Sequence, residues 1–202
     1  MSKNRKIIAV LLPIVIASVV VYQNLNESYS LPVPSVTNTT DTSIFSSSRV
    51  TKKLFGIYVT PKNSPVQPEK FTGYHTGIDF ETTSGEANVD VHVPVLFDGK
   101  LVVKKSATGY GGVVVIESAI EGQLVTTVYG HLKLSSVITP VGQFVKKGDT
   151  LGILGKAYSN ETGGERKHLH LAIHKGGSIN IFGYVQTKSA LNDWLDPKDF
   201  IR

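Results

Sequence analysis

Cysteine is absent from this chain of 202 residues. That absence excludes disulfides, thiolate nucleophiles, cysteine-ligated metal sites and a lipoprotein attachment cysteine. Any metal must therefore be held by histidine, aspartate or glutamate. Long amphipathic helical patterns are also missing, and no unit of roughly 20 to 50 residues repeats, so neither a helical bundle nor a solenoid or propeller is indicated. The formal charge of +5 comes without an arginine-rich stripe interleaved with aromatics, so nucleic acid is not an expected partner. Charged residues are 18% and hydrophobic ones 41%, which are globular proportions. At domain sizes of roughly 100–150 residues, the length allows one core plus something extra.

The extra part lies at the N-terminus. Lys3, Arg5 and Lys6 precede an uncharged, mostly apolar run over residues 7–22. Residues 1–22 therefore read as a signal anchor or signal peptide. The run is intermediate between a signal-peptide core of roughly 7–15 residues and a spanning helix of about 20. Ala17 and Ser18 are followed by Val19, Val20, Val21 and Tyr22, which lacks the small-residue cleavage pattern and favours retention. The basic lead then keeps the N-terminus in the cytoplasm and places everything after Gln23 outside. The expectation is a single-pass protein of the cell membrane, or a secreted one if the segment is cleaved. Residues 23–50 are rich in Ser, Thr, Asn and Pro and read as a linker, leaving a folded domain over residues 51–202.

Within that domain, short β-rich runs are separated by glycine: residues 100–104, 113–117, 124–129 and 168–174. The fold class is mainly β, a compact antiparallel domain. A small helical or irregular ending is expected over residues 190–200, with Trp194, Leu195 and Pro197 packed on the sheet.

The chemistry rests on six histidines, of which His75, His131, His168 and His170 occupy recognisable settings. His168 and His170 alternate with Leu169, Leu171 and Ile173, so a strand would turn both imidazoles to one face and the aliphatics to the core. His75 and Asp79, four apart around Gly77, can converge on the same ion as His170. Two nitrogens and one oxygen make a three-ligand site, and three protein ligands leave a fourth position open, as in catalytic zinc. His131 and His168 remain for proton transfer and oxyanion stabilisation. A closed structural site with His131 as fourth ligand is the alternative. His92 and His174 are read as exposed or satisfied residues outside the site. Short patterns such as HxxxD and HxH recur by chance; their joint presence in an exported, cysteine-free β domain gives them weight.

Taken together, HxxxD at His75–Asp79, Tyr129-Gly130-His131-Leu132, the glycine-bounded stretch over residues 142–152 and HxH at His168–His170 resemble the LytM/lysostaphin-type endopeptidases of peptidase family M23 over residues 73–176. The resemblance implies an open groove and one zinc ion held by His75, Asp79 and His170. It further implies His168 as general base, His131 assisting the tetrahedral intermediate, and hydrolysis of peptide bonds in peptidoglycan stems or cross-bridges. Peptidoglycan and, through the N-terminal segment, the cytoplasmic membrane would be the partners. A non-catalytic wall-binding or hydrolase-activating module is the other reading, and the complete set of ligand positions argues against it. Residues 142–155 are also similar to lipoyl and biotinyl carrier hairpins, but Lys146-Lys147-Gly148-Asp149 reads better as an exposed turn.

Two departures stand out. Gly163-Gly164-Glu165-Arg166-Lys167 replaces the usual Ser-Thr-Gly-Pro lead into the HxH strand. Residues 81–93 are longer and more polar than the family turn, and Glu81, Glu86 and Asp90 in them are read as solvated loop positions.

Overall fold

The computed structural model describes residues 43–201. The expected membrane segment over residues 1–22 lies outside the described residues, and among the described residues no helix is long and apolar enough to cross a membrane. The strands are β1 (Tyr58–Val59), β2 (Gly73–His75), β3 (Gly77–Glu81), β4 (His92–Pro94), β5 (Gly99–Ala107), β6 (Gly111–Ile120), β7 (Gln123–Gly130), β8 (Phe144–Val145), β9 (Thr150–Ile153), β10 (His168–Lys175), β11 (Tyr184–Val185) and β12 (Trp194–Leu195). Among the described residues only short 3-10 turns accompany them, so the fold there is mainly β as its sequence pattern indicates.

The main sheet has the order β12-β10-β7-β6-β5-β8, with β3 also paired to β10, and every pairing in it is antiparallel. One edge of β10 is covered by β7. The other is shared end to end by β3, opposite His168 to Ala172, and β12, opposite Ile173 and His174. The β-branched run Val113 to Ile116 in β6 and the alternating residues of β10 suit a pleated surface buried on both faces. Leu101, Val114, Ile116, Tyr129, Leu169, Leu171 and Ile173 enter the larger core. Val113, Val115, Val128, Ala172 and Trp194 form a smaller apolar cluster with Tyr110. Each such aliphatic contributes roughly 1.5–3 kcal/mol by leaving water.

Packing onto the core extends ahead of the boundary expected at Thr51. Ile44 is 2% exposed and belongs to the larger core, the Phe45 ring packs at a tilt on Phe80 with centroids 5.6 Å apart, and Arg49 is buried. The polar composition of residues 43–50 reads as linker because the anchoring is carried by two apolar side chains and one arginine rather than by a periodic pattern. Arg49 binds Glu86 through both carboxylate oxygens at 2.7 and 2.8 Å. Glu86 is thus an ion-pair partner, and Glu81, half-hidden behind Arg166 and Lys52, is another. Of the three acidic positions read as solvated, only Asp90 is exposed. The C-terminal stretch resolves into 3-10 turns at Lys188–Asp193 and Pro197–Phe200 flanking β12, with Trp194 buried. Lys146 and Lys147 do occupy an exposed turn between β8 and β9.

Candidate metal centre

The register of β3 against β10 creates the site. Asp79 lies directly opposite His170, and Glu81 opposite His168, so alternate residues of the two strands meet on one face. Gly77 is not a turn residue here. It starts β3, and a Cβ on it would stand 2.2 Å from the Leu171 carbonyl oxygen, so glycine is what lets β3 close onto β10. His75 arrives from β2, in a separate sheet. Its backbone exchanges hydrogen bonds with Gly56 and Ile57, which brings residues 54–57 over the ring.

His75, Asp79 and His170 are buried and present one ligand atom each, all within 4.8 Å of one another. His75 Nε2 is 3.0 Å from His170 Nδ1 and 3.3 Å from Asp79 Oδ1, and His170 Nδ1 is 3.1 Å from the same oxygen. His75 Nδ1 donates to the Leu54 carbonyl at 3.2 Å, which leaves its Nε2 with a lone pair facing the other two atoms. Burial pushes the His170 pKa down to about 4, against the hydrogen bond to Asp79, so its ring is neutral at physiological pH. Burial opposes ionisation of Asp79, but the surrounding histidines, His168 and His75 foremost, hold its carboxyl well below the usual range. Three convergent acceptors, two of imidazole and one of carboxylate, share at most one proton among them. A divalent cation relieves that mutual repulsion, and an N,N,O donor set with one open position suits zinc. Neither His131 nor His168 belongs to this cluster.

His131 and His168 lie beside each other with ring centroids 4.2 Å apart. His131 Nδ1 donates to the Thr162 carbonyl at 3.0 Å and His168 Nδ1 to the Arg166 carbonyl at 2.9 Å. Both Nδ1 protons are thereby committed to backbone carbonyls, and of the two Nε2 atoms that of His168 lies 3.3 Å from Asp79 Oδ2. Burial, reinforced by His168, drives the His131 pKa well down. His131 follows β7 with φ of 65°, and Gly130 before it pairs with His170. A Cβ at Gly130 would lie 2.4 Å from Tyr110 Cδ1, so glycine admits the Tyr110 ring beside His170.

These side chains floor a groove of about 340 Å³ whose walls include Tyr110, Arg166, Phe182 and Tyr184. His92, exposed on β4, and His174, packed at 4.8 Å on Trp194, stay outside it. Sequence reasoning passed over Arg166, whose guanidinium reaches Asp79 and Glu81. The spacing Arg166, His168, His170 carries three side chains to one face, but the partners that Arg166 meets there are set by the register of β3 against β10.

Residues 73–181 match the model of peptidase family M23, a span that contains His75, Asp79, His131, His168 and His170. Endolysin 2638A of Staphylococcus phage 2638A is 32% identical over 103 residues, covering 50% of this chain and 19% of that protein. This chain therefore corresponds to about a fifth of that relative's length. The catalytic domain of the antimicrobial peptidase lysostaphin from Staphylococcus simulans superposes with a TM-score of 0.50 at 22% identity, over 73% of this chain and 87% of that one. LytU gives a TM-score of 0.50 at 25% identity, over 75% and 83%. The chain belongs to peptidase family M23.

Proposed function

We propose that this protein is a zinc-dependent endopeptidase that hydrolyses peptide bonds in peptidoglycan stems or cross-bridges. The observation that carries the reading is the convergence of His75 Nε2, His170 Nδ1 and Asp79 Oδ1 beside two histidines whose Nε2 atoms are free of backbone partners. The endolysin and lysostaphin likenesses support a cell-wall substrate.

In this reading His75, Asp79 and His170 hold one zinc ion. When bound, zinc supplies a Lewis acid and lowers the pKa of a coordinated water towards about 7. His168 takes the proton of the attacking water on Nε2 and returns it to the leaving amine, since its Nδ1 proton is committed to the Arg166 carbonyl. His131 begins neutral, with its Nδ1 proton on the Thr162 carbonyl, so its assistance to the tetrahedral intermediate requires Nε2 to take up one proton from solvent, which it then shares with the oxyanion as a hydrogen bond and returns to solvent when the intermediate collapses. The groove seats an extended peptide across these rings, with Tyr110 and Tyr184 as its apolar walls.

The proposal extends to location: residues 1–22 anchor the chain in the cytoplasmic membrane and residues beyond them work outside it. The test of the metal reading is zinc content after dialysis of the full chain. One zinc per chain is expected in the parent and in His168→Ala, and little in His170→Ala, with turnover lost in both variants. Equal zinc in all three proteins would contradict the ligand assignment.

A further inference from the structure

The two oxygens of Asp79 face different surroundings. Oδ1 is 3.1 Å from His170 Nδ1 and 3.3 Å from His75 Nε2, inside the ligand cluster. Oδ2 is 2.9 Å from Arg166 Nη2 and 3.3 Å from His168 Nε2, outside it. Arg166 is itself braced. Its Nε donates to Glu81 at 3.0 and 3.2 Å, and its Nη2 reaches the same carboxylate at 2.5 Å while holding Asp79. The guanidinium side chain is 11% exposed, and its Nη1 is buried with no partner among the described residues. A buried, unpaired N–H is unfavourable, so the group's orientation follows the two carboxylates and not the satisfaction of its own donors.

We propose that Arg166 is a positioning residue that assigns the oxygens of Asp79: it occupies Oδ2 so that Oδ1 alone is presented to the metal. The inference rests on the zinc reading above and names what completes it. A carboxylate can bind an ion through one oxygen or both, and two-oxygen binding would fill the position that the reaction needs for water. Arg166 lies two residues ahead of His168, and its partner Glu81 sits opposite His168 in the β3–β10 register. The chain thus supplies its own clamp from the two strands that supply the ligands. Lysine cannot replace it, because one ammonium lacks the planar fork that spans Glu81 and Asp79 together. Because the bidentate pair with Glu81 balances the guanidinium charge, orientation is the main quantity the clamp delivers to the metal.

Crystal structures of the zinc-loaded full chain test this, in the parent, Arg166→Gln and Arg166→Lys, alongside steady-state kinetics. The expected result is zinc contacted by one Asp79 oxygen in the parent and by both in the variants. With it, kcat should fall about 10- to 100-fold while KM stays within about twofold. Should Arg166→Gln fail to fold, Arg166→Lys decides alone. One-oxygen binding in every folded variant overturns the inference while leaving the zinc reading intact. A parent chain that takes up no zinc at His75, Asp79 and His170 overturns the functional reading itself.

Discussion

Glycines 77 and 130 show how single atoms set this site. An alanine Cβ at position 77 would stand 2.2 Å from a backbone oxygen of β10, which cannot rotate away. Gly77→Ala is therefore expected to weaken the β3–β10 pairing and cost about 3 kcal/mol or more, read as a large drop in the chemical-denaturation midpoint. At position 130 the clash is with the Tyr110 ring, 2.4 Å away, which can tilt. Gly130→Ala should cost roughly 1–3 kcal/mol yet reduce turnover disproportionately, because Tyr110 packs on His170. A melting curve and a kcat measurement on the same preparation separate the two effects. The five-residue constellation was legible before any coordinates because histidines are few and three short settings coincide. Arg166 was not, since pairing Arg166, His168 and His170 with Asp79 and Glu81 requires the strand register, which one sequence leaves unspecified.

Elements tell the same story in a different way. The strands β5, β6, β7 and β10 could be read because their runs are long and bounded by glycine. The strand β3 could not, because Gly77–Glu81 is buried almost throughout and shows no in-out alternation. The segment over residues 43–50 reads as linker by composition, yet Ile44, Phe45 and Arg49 fasten it to β3 and to the 3-10 turn at Ser84–Glu86. A chain starting at Thr51 is expected to melt well below one starting at Ser43, since losing Ile44 alone removes packing worth about 2–5 kcal/mol. Equal melting temperatures would contradict that role. The hydrogen bonds from Arg49, against the opposing effect of burial and with help from the Thr83 backbone N–H, hold the Glu86 pKa down to about 2 from 4.5. Because the folded value is the lower one, the pair's stabilisation is present above pH 4.5 and is lost as pH falls towards 2. Glu86→Gln should flatten the acid limb of a stability-versus-pH profile over that window, and an unchanged profile would show that the pair contributes nothing there.

At the level of the whole protein, two kinds of information meet. The sequence places a basic lead, an apolar run and a polar stretch ahead of the domain, and the proposed membrane tether rests on that pattern. The described residues supply an M23 domain with an open groove, a convergent N,N,O set and two further histidines beside it. In the proposed reading, specificity is set by the groove's walls, which include Tyr110, Arg166, Phe182 and Tyr184. The measurement that bears most directly on the central claim is release of new amino termini from purified peptidoglycan by the full chain, after chelation and after zinc is restored. The account predicts release only with zinc, abolished in His168→Ala although that variant retains its metal. Zinc uptake by the parent with no release from peptidoglycans of several cross-bridge types would contradict it and leave a wall-binding module in its place.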